Sequence, residues 1–539
     1  MTTSPSLYLP RRRFLQAVAS SAAFTVLPRA RGQDDGKTVT VSILNTTDLH
    51  GHIVPTQTYE GVQDVGGMAR CATQIRKWQK ENPNNILIDI GDVYQGTQVS
   101  RSTSGGIMID LFNRLNYDAW VMGNHEFDWG LDAVVKNVAA SKMAVLAANA
   151  QVGGKWANTL QDKSNPLSRI APFIIKEVNG FRIGIVGVVT PGLPAWLHPS
   201  LLREFSAADP LSSTKFAIRK LMTEKVDAIV LACHFGLKNP DVSKSRDDFA
   251  NRVFDLTKEC REINVVIAGH THKHIGNARV NEILYTQASY HGIHAGKTDL
   301  VFDMESRRLM ETRVGTVLMD KNVEQDAMVL SATAKEREAS DAELKKAIGE
   351  LAATLSCKAP EGGGPAPALL LVMKSIRHAI EKRGVKPDGV LHGLFMDEKD
   401  LAAGPKTIAD AWEIIPYENR LTTAELRGSD LPKIMQEVMS APYSTMNLEG
   451  FKVTSEGERR DLKVTALTLP DGKPLDPDKR YLIALNGFDA QSGGRRYPQL
   501  QELCAASDAK LTLHSVESRD AVIEFFTEKK TVKPADLGL

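Results

Sequence analysis

The sequence predicts an α/β protein in which helices lie on both sides of a sheet. Short apolar runs alternate with amphipathic stretches through the first half of the chain, and 539 residues are too many for one ordinary domain. The amphipathic stretches, such as 67–80 and 211–225, predict helices. The apolar runs are typical of buried strands and comprise Val39–Leu44, Asn85–Ile90, Ala119–Met122, Ala144–Ala148, Ile183–Val189, Ala228–Ala232 and Val265–Ala268.

A polar stretch separates this half from a second domain. Residues 323–356 are rich in Ala, Glu, Lys and Leu and contain no proline, so we expect a helix that links two domains. Residues 360–367 include three consecutive glycines, which is typical of a loop. We therefore expect a first domain over 38–322, a linker helix over 323–356 and a second domain over 357–530.

Composition excludes several classes of protein. Lysine and arginine (66) nearly cancel aspartate and glutamate (65), so nothing indicates a nucleic-acid partner. The cysteines are far apart and form neither a disulfide framework nor a Cys-x-x-Cys metal site, so we expect them to be small buried apolar residues. They are Cys71, Cys233, Cys260, Cys357 and Cys504.

The first 33 residues are predicted to be a signal peptide. Arg11, Arg12 and Arg13 precede Phe14-Leu15, an uncharged and largely apolar run follows, and Ala30-Arg31-Gly32 offers small residues for cleavage. The Arg-Arg-x-Phe-Leu order resembles a twin-arginine signal, which directs folded proteins to export. We expect a bacterial protein that is periplasmic or otherwise exported. No later segment has 18 uninterrupted apolar residues, so we expect no membrane insertion after cleavage.

Polar clusters follow the predicted strands of the first half. Because ligand sites of α/β sheets lie at the carboxyl ends of strands, these clusters predict one common pocket. The clusters are Asp48-Leu49-His50, Gly91-Asp92, Gly123-Asn124-His125-Glu126 with Asp128 behind it, His234, and Gly269-His270-Thr271-His272.

The residue types in these clusters indicate divalent metals. In Asp48-x-His50 the spacing of an extended segment would send both side chains to one side, and His270-x-His272 has the same spacing. Mixed nitrogen and oxygen ligands suit Zn, Mn, Fe or Co better than Ca or Mg, and there are enough for two ions. Each cluster alone is a weak indication, since a lone Asp-x-His or Gly-Asp is usually a turn. Their joint occurrence at strand ends favours a metal site.

These motifs resemble those of the 5′-nucleotidase/UDP-sugar hydrolase family, whose members carry a calcineurin-like metallophosphoesterase domain. The resemblance covers about 38–320 and, more loosely, two segments of the second domain, 414–419 and 486–490. It implies a four-layer α/β-β-α metallophosphoesterase sandwich plus a smaller α+β C-terminal substrate-binding domain. It also implies a metal-activated water that hydrolyses a small phosphorylated substrate such as a phosphate monoester or nucleotide.

The resemblance further implies roles for individual residues. One metal would be bound by Asp48, His50, Asp92 and His272, and the second by Asp92, Asn124, His234 and His270. His125, held by Asp128, would lie beside the transferring phosphoryl group as transition-state stabiliser or general acid. Such an imidazole needs a carboxylate to fix its tautomer, and Asp128 is three residues away.

The second domain departs from the family pattern. The usual Gly-x-Arg segment corresponds to 389–395, which has no arginine, and the usual Gly-Gly-Asp-Gly-Phe is Gly-Gly-Arg-Arg-Tyr over 493–497. Tyr417 and Phe488 remain where the family stacks a base, although each could be an ordinary core or loop aromatic. Arg495 and Arg496 in place of a ribose-binding carboxylate would favour an anion. We therefore favour a substrate held by these arginines over a nucleoside monophosphate.

Two other functions fit the motifs. One is the related thiosulfohydrolase of sulfur oxidation, which acts on a conjugate of a carrier protein. The other is a non-enzymatic metal-containing binding protein, which would be expected to have lost ligands, whereas this sequence retains them all.

Replacement of Arg11 and Arg12 by lysine tests the export hypothesis. We expect the precursor to remain in the cytoplasm with its N-terminus intact, because a receptor reads the arginine pair and not its charge alone. Cell fractionation with N-terminal sequencing measures this. Normal secretion of the double variant would show that the route for unfolded chains is used.

Overall fold

The computed structural model describes residues 37–360, 364–395, 399–442, 444–457 and 461–539. The predicted signal peptide, 1–33, lies outside the described residues. Among the described residues, no helix is both long and apolar enough to cross a membrane. All five cysteines are buried, as their sequence context indicates.

The first domain contains two large sheets whose strands match the predicted apolar runs. Its strands are β1 (Thr38–Thr46), β2 (Thr56–Gln57), β3 (Gln63–Val65), β4 (Asn85–Asp89), β5 (Ala119–Val121), β6 (Ala144–Leu146), β7 (Ala150–Val152), β8 (Lys155–Trp156), β9 (Ile170–Ala171), β10 (Phe173–Val178), β11 (Phe181–Val189), β12 (Phe205–Ala207), β13 (Ala228–His234), β14 (Val265–Ala268), β15 (His274–Val280), β16 (Ile283–Ala288), β17 (His294–Asp303) and β18 (Leu309–Leu318).

Helices lie between these strands. They are α1 (Met68–Glu81), α2 (Gln98–Ser102), α3 (Gly106–Arg114), α4 (Leu131–Ala140), α5 (Pro199–Leu202), α6 (Pro210–Thr223) and α7 (Val253–Glu259). The two helices predicted at 67–80 and 211–225 are confirmed as α1 and α6. Their apolar faces are buried, with Ile75 of α1 and Leu221 of α6 almost inaccessible to solvent.

The sheets form a four-layer α/β-β-α sandwich, which confirms the expected fold. The first sheet has the order β18-β17-β1-β4-β5-β6-β9, and the second has β10-β11-β13-β14-β16-β15. Successive residues of β1 point to opposite faces, so Ile43 packs between the sheets and Leu44 packs under the helices of the first sheet. Helices α6 and α7 cover the outer face of the second sheet. The strands β1, β4 and β5 run parallel, as do β11, β13 and β14, so their carboxyl ends meet at one edge.

The linker differs from the single helix predicted over 323–356. Two helices, α8 (Ala327–Ala332) and α9 (Ala334–Leu344), occupy only its first part. The prediction is wrong beyond Leu344, because Ala347–Leu351 forms a strand, β19, that pairs with two segments of the second domain. Helix-favouring composition could not reveal these distant partners.

The second domain is built around a five-stranded mixed sheet. After β19 come β20 (Gly389–His392), β21 (Gly404–Thr407), β22 (Arg420–Arg427), β23 (Asn447–Glu449), β24 (Lys452–Glu456), β25 (Lys463–Thr468), β26 (Arg480–Asn486), β27 (Thr512–Glu517) and β28 (Thr531–Val532). The helices are α10 (Pro367–Lys382), α11 (Ile408–Ile414), α12 (Leu431–Ser440), α13 (Gly487–Ala490), α14 (Pro498–Ala505), α15 (Ser518–Lys529) and α16 (Pro534–Leu537).

This sheet has the order β23-β20-β26-β22-β27 and carries helices on both faces. The domain does not end near residue 530 as predicted, since β28 pairs with β19 and Leu537 of α16 is buried in the core.

Polar contacts join the two domains. Gln95 of the first domain donates a hydrogen bond to Glu418 of the second, and Glu418 accepts from Arg519 at 2.9 Å. The carboxylate and the guanidinium are both fully buried. Arg101 adds a second contact, with Glu517 at 2.9 Å. The buried pair fixes the position of the 417–420 segment relative to the first domain.

Gly187 of β11 allows the two sheets of the first domain to approach. A Cβ at this position would lie 2.3 Å from the Cβ of Leu146 on β6. We expect Gly187→Ala to lower the free energy of unfolding by about 1–3 kcal/mol, because the sheets would have to separate. Gly106→Ala is the matched control, since the nearest atom is 4.0 Å away. Equal denaturation midpoints for the two variants would contradict this account of the sheet interface.

Candidate active site

The structure brings the predicted metal ligands together at the carboxyl ends of five strands. Asp48, His50, Asp92 and His272 offer ligand atoms that lie within 4.8 Å of one another, and so do Asp92, His234 and His270. Asp92 belongs to both groups. We call the following set the ligand cluster: Asp48, His50, Asp92, Asn124, His234, His270 and His272.

Five residues of the ligand cluster do not have an extended backbone. The φ angles are positive at Asp48 (49°), His50 (48°), Asp92 (54°), His270 (75°) and His272 (56°). The segments 48–50 and 270–272 are therefore not extended as expected, although both side chains of each pair enter one site. A left-handed turn changes the direction of the side chain, so that it points into the site and not along the face of the preceding sheet. Asp and His tolerate this region better than most residues, but it remains unfavourable.

Three glycines permit the loops to approach the ligand cluster. A Cβ at Gly123 would lie 2.3 Å from Oδ1 of Asp92, and one at Gly269 would lie 2.9 Å from Oδ2 of Asp48. A Cβ at Gly91 would lie 2.8 Å from Nδ1 of His234. Any side chain at these positions would displace a predicted ligand.

Several atoms of the ligand cluster are buried without hydrogen bonds. They are Oδ2 of Asp92, Nε2 of His234, Oδ1 of Asn124 and Nδ1 of His270. Nε2 of His234 faces Oδ2 of Asp92 at 3.0 Å, without the alignment of a hydrogen bond. Buried polar atoms are normally satisfied, and a divalent cation accepts lone pairs from oxygen and nitrogen at once. The residues present therefore fit a metal centre.

Backbone carbonyl groups orient two of the imidazoles. Nδ1 of His50 lies 2.9 Å from the carbonyl oxygen of Gln95, and Nδ1 of His234 lies 2.6 Å from that of Ile90. Since a carbonyl oxygen only accepts, both Nδ1 atoms carry the proton. In the neutral form of each ring the lone pair of Nε2 faces the ligand cluster, which is the arrangement that a metal ligand requires.

Burial influences the charge of the histidines. Burial, followed by the neighbouring His272, holds the pKa of His50 well below its usual value. Burial and the nearby His234 lower the pKa of His270 to about 3. Both rings are therefore neutral at physiological pH, with a lone pair for a cation.

His125 and Asp128 form the expected pair. Nδ1 of His125 donates to Oδ2 of Asp128 at 2.7 Å, and the backbone N–H of His125 donates to Oδ1 of Asp92 at 2.8 Å. Burial alone would lower the pKa of His125, but the carboxylates of Asp128 and Asp92 outweigh burial and raise it to about 10. Nε2 thus carries a proton beside the ligand cluster.

Glu126 is a supporting residue to which the sequence analysis gave no role. Its buried carboxylate accepts hydrogen bonds from the backbone N–H groups of Val93 (2.7 Å), Gly123 (2.6 Å) and Asp92 (3.2 Å). It thereby ties the loop after β4 to the loop after β5. The sequence offered a clue, because Glu126 belongs to the Gly-Asn-His-Glu run.

Tyr59 is a second residue that the sequence did not reveal. It lies in the loop between β2 and β3, and its hydroxyl is 2.9 Å from Nδ1 of His272. Its ring stacks on Tyr290, with 4.2 Å between centroids. Tyr59 therefore orients His272 as backbone carbonyls orient His50 and His234. The loop has no periodicity or motif that indicates such a role.

A cavity of about 490 Å³ adjoins the ligand cluster and lies between the two domains. Asn124, His125, Asp128 and His270 line it on one side. Three of the predicted substrate-binding residues, Tyr417, Phe488 and Arg496, line the opposite side.

Arg495 does not line this cavity. Its guanidinium carbon lies 4.4 Å from the centroid of Phe249 in the first domain. Its backbone has a φ of 64°, and its N–H donates to Oγ of Ser492. Arg496 thus lines the cavity and Arg495 packs on Phe249, and the role of Arg495 in substrate binding stays a prediction.

Two protein families match this chain, one in each of its two domains. The family of the calcineurin-like phosphoesterases matches residues 41–274, and the 5′-nucleotidase C-terminal domain matches residues 371–502. The chain therefore contains a calcineurin-like phosphoesterase domain followed by a 5′-nucleotidase C-terminal domain. The first match contains the whole ligand cluster and the second contains Tyr417, Phe488 and Arg496.

Relatives within the 5′-nucleotidase family are distant. The chain is 25% identical over 522 residues to the endonuclease YhcR of Bacillus subtilis, covering 92% of this chain and 41% of that protein. It is 24% identical to the 5′-nucleotidase of Rattus norvegicus, covering 97% and 92% of the two chains. The chain thus spans about two fifths of the first relative's length.

Solved structures of the family share the fold. A putative 5′-nucleotidase from Staphylococcus aureus, in complex with alpha-ketoglutarate, matches with a TM-score of 0.73 and 19% identity over 91% of this chain and 97% of that one. The sulfate thiohydrolase SoxB of Thermus thermophilus matches with a TM-score of 0.59 and 16% identity over 92% and 95%. At these identities the likeness concerns the fold alone.

Substitutions in the ligand cluster test the metal site. We expect the purified mature protein to bind two transition-metal ions per chain. Asp92→Asn should weaken both sites, because both groups of ligands share its carboxylate, whereas His50→Ala should mainly weaken one. Elemental analysis after dialysis measures the stoichiometry, and Asp132→Asn at an exposed carboxylate is the control. One ion or none in active protein would contradict a two-metal site.

Proposed function

We propose that the protein is a two-metal phosphoesterase that hydrolyses a small phosphorylated metabolite. The observation that carries this proposal is the set of buried ligand atoms without hydrogen bonds, which opens onto the cavity beside the His125–Asp128 pair. Oxygen and nitrogen ligands that share one carboxylate are typical of sites that hold two divalent ions. Zn, Mn, Fe or Co suit this donor set.

The two ions would be divided between the two sides of Asp92. Asp48, His50, Asp92 and His272 would hold one, and Asp92, Asn124, His234 and His270 the other. When bound, such ions lower the pKa of a coordinated water and neutralise charge on the phosphoryl oxygens.

The chain's own residues would complete the reaction. His125 presents a proton on Nε2 to the cavity, because Asp128 holds Nδ1. This proton would stabilise negative charge on the phosphoryl group or pass to the leaving oxygen. Trp196, Leu201 and Tyr417 line the cavity and would exclude water from the reacting group.

Export belongs to the same proposal. The arginine pair and apolar run of residues 1–33 support delivery to the periplasm after folding, which would allow the metals to be bound before transport. The protein would then act on phosphorylated compounds outside the cytoplasm.

Hydrolysis of p-nitrophenyl phosphate by the Mn²⁺-loaded mature protein tests the activity. We expect turnover that a chelator abolishes. His125→Asn should lower kcat by about 10²–10⁴-fold without changing the metal content, because a positioned proton donor contributes on that order. His274→Asn is the matched control, since His274 does not line the cavity and pairs with Thr316.

Two results would contradict the proposal. One is a metal-loaded protein without phosphatase activity on any of a panel of nucleotides, nucleotide sugars, cyclic phosphates and p-nitrophenyl phosphate. The other is full activity of the His125→Asn variant.

A further inference from the structure

The cavity extends beyond the space that a phosphoryl group needs. Its volume of about 490 Å³ lies within the range of sites that enclose a whole small molecule. The ligand cluster and His125 form one wall, and residues of the second domain form the other. The second wall must therefore contact whatever the phosphoryl group is attached to.

The carboxylates at the cavity already have partners. Asp128 is paired with His125 at 2.7 Å. Glu418 is paired with the buried Arg519 at 2.9 Å and also accepts a hydrogen bond from Gln95. Arg519 itself does not line the cavity, so it neutralises the charge of Glu418 from the protein interior. These negative charges are compensated within the protein.

Arg420, by contrast, has no partner. It begins β22, is half-buried, and lines the cavity. Its side chain makes no hydrogen bond or ion pair with any residue that the structure describes. At the other end of the same strand, Arg427 is paired with Asp508 at 3.3 Å. A half-buried guanidinium at a cavity with no acceptor in the protein keeps its five N–H groups available to an anion.

Arg496 lies on the same wall. Its Nε donates to the carbonyl oxygen of Gly493 at 2.9 Å, and its guanidinium carbon is 5.8 Å from the centroid of Phe488. This arrangement leaves its terminal nitrogens available. The backbone of Arg420 adjoins that of Gly487, because a Cβ at Gly487 would lie 3.2 Å from the carbonyl oxygen of Arg420. Arg420, Arg496 and Phe488 therefore belong to the same wall of the cavity.

We propose that Arg420 and Arg496 bind a second anionic group, carried by the part of the substrate that leaves. The substrate class is then a phosphate ester whose leaving group bears a phosphate or a carboxylate, while Tyr417 and Phe488 contact its less polar part. Guanidinium groups match both anions because they donate two parallel hydrogen bonds. This inference rests on the proposed phosphoesterase function.

Matched substrates test the second anion site in the metal-loaded protein. Phenyl phosphate and 4-carboxyphenyl phosphate differ by one carboxylate, and adenosine 5′-monophosphate and adenosine 3′,5′-bisphosphate are both phosphate esters and differ by one phosphate. We expect the wild-type protein to prefer the member with the extra anion in at least one pair. The preferred pair identifies the anion as carboxylate or phosphate.

Arg420→Met should reduce this preference, measured as a ratio of kcat/KM values, by about tenfold or more, since a charge-assisted hydrogen bond contributes on that order. Arg496→Met should act in the same direction. Arg427→Met is the matched control on the same strand but outside the cavity, and it should keep the wild-type ratio. Because each ratio compares two substrates on one variant, it does not depend on the fraction of folded protein.

The proposal is overturned if the wild-type protein shows no preference in either pair. It is also overturned if Arg420→Met lowers kcat/KM equally for both members, because Arg420 would then act on the reacting phosphoryl group or on the fold. If no phosphate ester is hydrolysed, the proposed function fails separately. Calorimetric binding of phenylphosphonate and 4-carboxyphenylphosphonate then decides: tighter binding of the latter that is lost in Arg420→Met supports the site, and equal binding overturns it.

Discussion

The structure depends on the close approach of several nitrogen and oxygen ligand atoms in one buried place. Oδ2 of Asp92 and Nε2 of His234 are 3.0 Å apart, and Nε2 of His50 is 3.0 Å from Nε2 of His272. Atoms at such distances need a proton or a cation between them, most of all where little water screens them. A divalent cation would serve all of these ligands at once, so the geometry of the ligand cluster favours the binding of metal.

Such a cluster needs rigid surroundings. Positive φ angles at Asp48, His50 and Asp92 cost about 1 kcal/mol or more each, and loops alone would relax them. Here the loops begin at parallel strands that are packed between two apolar layers, and Glu126 bridges two of the loops through three backbone N–H groups. The core of the first domain therefore does more than stabilise the fold. It maintains a backbone that the local sequence would not adopt by itself.

The second domain completes the site from the opposite side. The chain of hydrogen bonds from Gln95 through Glu418 to Arg519 begins at the residue whose carbonyl oxygen orients His50. The same Glu418 lies between Tyr417 and Arg420 in sequence, and all three line the cavity. The position of the substrate-binding wall and the orientation of a metal ligand are thus mechanically connected. A small displacement of the second domain would therefore change the orientation of the His50 ring.

The sequence by itself predicted seven strands and two helices of the first domain and the residues that meet in the ligand cluster. Strand ends carry these ligands, and parallel strands must deliver their ends to one edge, so a local pattern sufficed. Only the tertiary structure decided that Ala347–Leu351 is a strand, that Arg495 turns away while Arg420 enters the cavity, and that Tyr59 reaches His272. Each of these depends on a partner far away in the chain or on a turn that changes the direction of a side chain. A distant partner and a turn of this kind produce no periodic pattern in the sequence. The interactions that stabilise them form only when segments far apart in the chain come into contact.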